Sequence, residues 1–204
     1  MKISSKKQLR FFIEADFMMN RGYFHPTVAE YIKRIFVPDY IMDYLVAMRC
    51  VSYYKTKLGI NRLKFLHYFN KYRRLGLKLG FSIGYNVFGY GLVVPHYGTI
   101  VVGGSNHIGN YAVLQTCVCI SDNGKTIGDG LYCSTGVKMT SSLTLGNNIS
   151  IGANSLVNKS YDGNNALLGG IPAKYIKDEA AWYIRDHFDK KVYKIEELRK
   201  KYGL

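Results

Sequence analysis

A period of six residues runs through the middle of the chain and limits the folds open to it more than any other feature. Every sixth residue from Val102 is apolar, with one extra residue after Ile120. The ten positions are Val102, Ile108, Leu114, Ile120, Ile127, Cys133, Met139, Leu145, Ile151 and Val157. Glycine directly follows five of them, at Gly103, Gly109, Gly128, Gly146 and Gly152. This period matches neither the helical repeat nor the two-residue alternation of a strand.

A hexapeptide solenoid explains the period, because each hexad then forms one short strand and one corner. The apolar residue points into a narrow triangular core, and three hexads complete one coil. The residue after it is predicted to occupy a tight corner, where glycine tolerates φ values that other residues avoid. The regular series predicts about three and a half coils. A chance apolar pattern in a β sandwich is the alternative, and ten successive matches disfavour it.

Charge divides the chain into three segments. Residues 1–80 hold sixteen Lys/Arg and five Asp/Glu, whereas the rest of the chain is nearly balanced. We predict a basic helical segment over residues 1–79, with helices over 26–36, 39–57 and 61–79. The β-helix is predicted to follow over 80–177. The last segment, 178–204, is predicted to contain a helix from 178 to 201. The basic helices favour an anionic partner, either the acceptor substrate or a membrane surface. We expect no nucleic-acid partner, because no nucleic-acid-binding motif accompanies the charge.

Several classes of protein are disfavoured by composition. No apolar run approaches the length of a membrane span, and Glu14 and Asp16 interrupt the apolar stretch that a signal peptide would need. Four cysteines are too few for a disulfide scaffold. We therefore expect a cytoplasmic protein. Its basic helices are also compatible with peripheral contact at the inner face of the membrane. No metal site is predicted, because Cys117 and Cys119 lack a second pair of ligands.

The segment Val94-Pro95-His96-Tyr97-Gly98-Thr99-Ile100-Val101-Val102-Gly103 carries a resemblance to a known family. With the hexads, it resembles the left-handed β-helix acyltransferases of the serine acetyltransferase and sugar O-acetyltransferase group. The resemblance covers about residues 80–177 and implies a mainly β, left-handed parallel β-helix. It also implies transfer of acetyl from acetyl-coenzyme A to a hydroxyl, with His96 as general base. A free imidazole suits that role because its pKa of about 6.5 lets it accept a proton near neutrality.

His96 stands six residues before Val102, so the period places it in the inward register. A structural histidine is the alternative to a catalytic one. Three zinc-binding histidines, which hexapeptide carbonic anhydrases require, are missing, because no histidine lies between His107 and His187. His107, next to Ile108, is predicted to face outward.

The resemblance also implies a coenzyme strip along the coils. Leu168-Gly169-Gly170-Ile171-Pro172-Ala173-Lys174 resembles the loop that closes the family's helix, and Lys174 would meet the nucleotide phosphates. Matching the sugar acetyltransferase pattern adds four further contacts, namely Thr135, Ala153, Asn158 and Lys159. The two lysines are equally compatible with an ordinary surface. The family's sites lie between subunits, which implies a homotrimer.

Three departures from the serine acetyltransferase pattern bear on the acceptor. Pro95 and Phe81 stand where that pattern has aspartates, and the short connection 121–125 lacks its second histidine. Because an ammonium group needs carboxylates, these losses disfavour serine. The sequence therefore predicts an O-acetyltransferase for a sugar hydroxyl of a surface polysaccharide or its precursor. A serine O-acetyltransferase is one alternative, and a non-catalytic scaffold binding an anionic glycan or lipid surface is another.

Overall fold

The computed structural model describes residues 2–204, apart from the side chains of Leu58 and Ile60. Four helices come first along the chain, namely α1 (Lys6–Arg21), α2 (Val28–Phe36), α3 (Tyr40–Lys55) and α4 (Leu58–Leu79). Two more close it, α5 (Trp182–Arg185) and α6 (Asp189–Tyr202). None of the helices among the described residues is both long enough and apolar enough to cross a membrane.

Thirteen short strands lie between these helices and form a three-sided parallel β-helix. Face 1 contains β1 (Phe81–Ile83), β2 (Ile100–Val102), β5 (Cys119–Ile120), β8 (Lys138–Met139) and β11 (Leu156–Val157). Face 2 contains β3 (His107–Ile108), β6 (Thr126–Ile127) and β9 (Thr144–Leu145). Face 3 contains β4 (Val113–Leu114), β7 (Tyr132–Cys133), β10 (Ile149–Ile151), β12 (Ala166–Gly170) and β13 (Ala173–Asp178). All pairs are parallel except β12 with β13, so the predicted solenoid is confirmed.

The hexad residues fill the core of the solenoid. All ten are at most 3% exposed, and each aligns with its counterpart in the next coil, as Val102 does with Ile120. Eight of the ten positions four residues later are buried as well, and Gly124 and Tyr161 are the exceptions. Face 1 has five strands, so the solenoid has about five coils rather than the three and a half that the regular series predicts. The regular series does not predict the first and last coils, because their inward residues are not spaced six apart.

The role predicted for the hexad glycines is wrong. Gly109 and Gly146 do not have positive φ, whereas the left-handed residue at these corners comes two positions later, at Tyr111 and Asn148. Glycine is required instead because the coils approach closely. A Cβ on Gly146 would lie 2.1 Å from the carbonyl oxygen of Gly163 in the next coil. Backbone at that distance cannot give way as a flexible side chain does.

The helices cover the first coil and one side of the solenoid. Phe17, Leu45 and Met48 share a core with Phe88 and other residues of the coils. A second cluster packs α1 and α6 over face 3, where Trp182 Nε1 donates a hydrogen bond of 2.7 Å to the carbonyl of Tyr111. On face 3 the outer side chains of Val113 and Ser150 are therefore buried, whereas most of β13 stays exposed.

The helices differ from the expected ones in two places. Helix α1 lies within the predicted helical segment 1–79 but is not one of the three helices predicted there, and Glu14 and Asp16 interrupt its apolar stretch. Both carboxylates are nevertheless buried, Glu14 against Arg10 and Asp16 against Arg49. The predicted helix from 178 to 201 is shorter than expected. Its first residue ends β13, and the helical region is broken near His187, whose φ is 61°.

Candidate functional site

Three predicted site residues lie along one edge of the solenoid, where face 3 turns into face 1. We call this edge A; its corner segments are 95–99, 115–118, 134–137 and 152–155. The segments stack through main-chain hydrogen bonds, from Gly136 N to Thr116 O at 3.0 Å and from Asn154 N to Thr135 O at 2.9 Å. His96, Thr135 and Ala153 therefore lie in the first, third and fourth layers of one strip, and all three are exposed.

His96 does not point into the core, so its predicted inward register is wrong. Val93 pairs with Val113 and Val101 with Cys119, and the first coil has two more residues between these pairing points than the second. The extra residues bulge outward at 95–99 and carry His96 into solvent. It forms no hydrogen bond or ion pair with any described residue. An exposed imidazole at the head of a strip is free to meet a ligand, which a core histidine is not.

Lys174 lies near the end of the same edge. It is on β13, where it pairs with Gly169, next to the turn at 171–172 that ends edge A. Its side chain is exposed. The neighbouring Gly170 N donates to Ser155 Oγ at 3.1 Å, which attaches this turn to the last corner of the strip.

Asn158 and Lys159 lie elsewhere. They follow β11 and belong to edge B, where face 1 turns into face 2; its corner segments are 84–86, 103–106, 121–125, 140–143 and 158–160. A strand of three residues spans about 10 Å, which is the width of face 1 between the two edges. Within one chain, the five predicted coenzyme contacts thus form two groups on opposite edges.

Asn158 has an unusual feature for a surface corner. Its Oδ1 is buried, and no described group donates a hydrogen bond to it. A buried amide oxygen without a donor carries a desolvation cost of about 1–3 kcal/mol. A ligand N–H, or an ordered water, would remove that cost.

Sequence reasoning missed a cleft of about 520 Å³ at the start of edge B. Helix α4 supplies one wall with Phe69, Tyr72 and Arg73, and the first three coils supply the other, which includes Asp122. Hydrogen bonds from the side chain and main chain of Ser105 lower the pKa of the Asp122 carboxyl, which keeps it ionised at neutral pH. Arg73 is exposed and forms no ion pair with a described residue. Neither residue belongs to a hexad or to the histidine motif, so no sequence signal connects them.

Two of the four cysteines are buried, while Cys117 is exposed on edge A and Cys119 is partly exposed. Burial raises the pKa of the Cys133 thiol and raises that of Cys50 to about 11, so both thiols stay protonated at neutral pH. His107 faces outward on β3, away from edge A, as predicted. Among the described residues, no group of three or more His, Cys, Asp or Glu side chains is arranged to hold a metal ion.

No protein-family model matches the sequence. Solved structures do match the fold. The serine acetyltransferase of Neisseria gonorrhoeae is 22% identical, with a TM-score of 0.61 over 89% of this chain and 70% of that one. The serine acetyltransferase of Brucella abortus strain S19 is 20% identical, with a TM-score of 0.61 over 85% and 69%. A serine acetyltransferase solved in complex with CoA is 19% identical, with a TM-score of 0.60 over 83% and 69%. The chain has the left-handed β-helix fold of these serine acetyltransferases.

Proposed function

We propose that the protein is an acetyl-coenzyme A-dependent O-acetyltransferase with His96 as its general base. The observation that carries the proposal is the exposed His96 at the head of edge A, in the motif that resembles the family's catalytic histidine. The fold supports it, since proteins that share it are serine acetyltransferases and one was solved with CoA.

The chemistry needs one base and one positioned thioester. Neutral His96 takes the proton of the acceptor hydroxyl while the hydroxyl oxygen attacks the thioester carbonyl. The tetrahedral intermediate then collapses, the C–S bond breaks, and the imidazolium returns its proton to the departing sulfur. The products are the acetyl ester and free coenzyme A. Burial keeps Cys133 and Cys50 protonated and removes them as nucleophiles, so an acetyl-enzyme at edge A would need the exposed Cys117. A Cys117→Ser variant with unchanged turnover would support direct transfer.

Coenzyme A is the co-substrate, held along edge A below His96. Main-chain groups at Thr135 and Ala153 would pair with the pantetheine amides, and Lys174 would neutralise nucleotide phosphate. The orphan Oδ1 of Asn158 suits an amide N–H of the same arm. Asn158 and Lys159 reach that arm only if edge B belongs to another copy.

A homotrimer meets this requirement. Much of face 3 is covered by α1 and α6, whereas the outer side of face 1 carries Val101, Cys119 and Leu156, which are at least partly exposed, together with one exposed cation, Lys138. Three copies that turn face 1 toward a common axis bring edge A of each beside edge B of the next. His96 and Thr135 of one protomer would then share a groove with Asn158, Lys159 and the cleft of its neighbour.

A sugar hydroxyl of a surface polysaccharide or its precursor is the acceptor we propose. Pro95 and the buried Phe81 offer no carboxylate for an ammonium group. The cleft at edge B instead combines aromatic walls with Arg73 and Asp122. Aromatic faces and paired polar groups suit the apolar and hydroxyl sides of a sugar ring. Serine remains the second candidate because the matched solved structures are serine acetyltransferases.

Release of free thiol from acetyl-coenzyme A, measured with a panel of sugars and with serine, tests the proposal. Wild-type protein should release thiol with a sugar, and His96→Gln should lower turnover about 10²–10⁴-fold. His107→Gln is the matched control, since it changes an exposed histidine on face 2. Turnover with serine alone would favour the second candidate. No release with any acceptor would favour a non-catalytic scaffold.

Mixing variants tests the shared groove. Chains with His96→Ala keep an intact edge B, and chains with Asn158→Ala and Lys159→Ala keep an intact edge A. The mixed trimers should regain part of the activity through hybrid sites. Sedimentation should give about three times the 23.2 kDa mass of one chain. Full turnover by a monomer would contradict the trimer.

A further inference from the structure

Helix α2 presents its apolar face to solvent and its polar face to the protein. Five apolar side chains recur at helical spacing and are between 54% and 80% exposed: Val28, Tyr31, Ile32, Ile35 and Phe36. Arg34, on the opposite face, pairs with Asp43 at 3.2 Å and lies over the ring of Phe17 at 5.6 Å. A surface helix of a globular protein normally has the reverse orientation.

The helix does not depend on burial of that face for its start. Thr27 Oγ1 accepts from Glu30 N, and the Glu30 carboxylate accepts from Thr27 N at 2.6 Å, which forms a complete capping box. None of the nine residues of α2 is buried. Helix α2 is therefore capped at its start and held to the protein by its polar side, while its apolar side is exposed. Such an exposed apolar face indicates a binding surface.

The charge of residues 1–80 indicates which kind of partner can cover the apolar face of α2. All five acidic residues of residues 1–80 are already engaged, four in ion pairs and Glu30 in the capping box. Of the sixteen basic residues there, five are in those or further ion pairs, and the other eleven form none with a described residue. Lys33 on α2 and Arg74 on α4 are among these exposed, unneutralised cations.

A second copy of the chain would bring the same excess of positive charge to the contact. An anionic surface would neutralise it instead, and the apolar face is convex rather than a groove for a peptide. We propose that α2 lies in the interface of an anionic phospholipid membrane, with Ile32, Ile35 and Phe36 inserted among the acyl chains and the surrounding Lys/Arg on the headgroups. This inference does not depend on the acetyl transfer.

Vesicle binding tests it directly. The full chain should sediment with vesicles of phosphatidylcholine mixed with phosphatidylglycerol, much less with phosphatidylcholine alone, and less as salt is raised. Ile35→Ser combined with Phe36→Ser should lower the partition at least tenfold. Ile184→Ser combined with Tyr193→Ser is the matched control, because it removes two exposed apolar side chains from the C-terminal helices. Lys33→Gln and Arg74→Gln should each weaken binding about fivefold.

Fluorescence provides a readout that does not require loss of binding. The chain has a single tryptophan, Trp182, which is buried. Phe36→Trp should therefore add emission that shifts to the blue with phosphatidylglycerol vesicles, while Tyr193→Trp should not respond. Equal binding by the Ile35/Phe36 double variant and wild type would overturn the proposal. If that variant bound vesicles as the wild type does and also formed a smaller assembly, the apolar face of α2 would be a contact between copies of the chain, and the proposal would be wrong.

Discussion

Replacing Arg49 with methionine should break the connection between the helices and the first coil. Arg49 is 1% exposed and donates four hydrogen bonds. Two go to Asp16, from Nε at 2.8 Å and Nη2 at 3.1 Å. The other two go to the carbonyls of Phe88 at 2.8 Å and Gly89 at 2.6 Å, which lie at the second corner of the first coil. One side chain thus holds α1, α3 and the solenoid together.

The expected loss follows from what the substitution leaves behind. A buried carboxylate that loses its only ion-pair partner costs about 3–5 kcal/mol. Two carbonyls that lose a donor add about 1 kcal/mol or more. We expect the free energy of unfolding to fall by about 4–6 kcal/mol, a large part of the 5–15 kcal/mol that is typical of a domain. Arg62→Met, an exposed arginine on α4, should change it by less than about 0.5 kcal/mol.

The loss should also depend on pH. Burial raises the pKa of Asp16, and Arg49 opposes that shift. In Arg49→Met the pKa rises further, so the folded state holds a proton that the unfolded state releases above about pH 4. Stability of the variant should therefore fall as pH rises from about 4 toward neutrality.

Urea unfolding at acid and neutral pH measures both effects. The double variant Asp16→Asn with Arg49→Met removes both members of this buried ion pair, so it should be more stable than Arg49→Met alone at neutral pH. A loss below about 1 kcal/mol for Arg49→Met, or a loss independent of pH, would refute the reasoning.

Two further predictions concern the solenoid and the helix α6 that covers it. Gly146→Ala places a Cβ 2.1 Å from a carbonyl oxygen, so it should lower the free energy of unfolding by about 2 kcal/mol or more in thermal melts. Gly152→Ala is the control, because the nearest contact of its Cβ is at 3.6 Å, and its stability should be close to that of the wild type. Glu196→Gln weakens the acceptor for the hydroxyls of Tyr90 at 2.8 Å and Tyr111 at 2.5 Å, so it should loosen α6 by about 1–2 kcal/mol and speed hydrogen exchange there, with Glu197→Gln as control.

The parts of the fold that obey a strict period are those that sequence could predict. Between Val102 and Val157 each hexad fixes one inward residue, because the coil geometry repeats there with a single one-residue insertion after Ile120. The first coil has the same three faces, but its inward residues Ile83, Phe88 and Val94 are unevenly spaced, and no period marks them. The close approach of neighbouring coils at Gly109 is likewise a property of stacking, which one hexad does not contain.

Amphipathic spacing predicts that a helix has an apolar side, but not what that side meets. In α3 the apolar residues join the core, as Leu45 and Met48 do. In α2 an equally clear pattern faces outward, because Arg34 has its partners inside, at Asp43 and Phe17. The partners of a charged side chain are set by the tertiary structure. They decide which side of the helix faces the protein, and the spacing of residues along one helix does not contain that information.

The corner that carries His96 faces outward, against its predicted inward register, and Gly98 tests whether this corner positions a catalytic base. Gly98 has φ of 139° and donates to the carbonyl of Leu79 at 2.9 Å, which closes the outward bulge. Alanine fits the space, since its Cβ would lie 3.4 Å from Thr116, but not that φ. If His96 is the base, Gly98→Ala should displace it and lower turnover about tenfold to a hundredfold. The melting temperature should fall by only a few degrees. Gly59→Ala on α4, which has open space around it and does not line the cleft, is the control. Wild-type turnover in Gly98→Ala would mean that the bulge does not position a catalytic histidine.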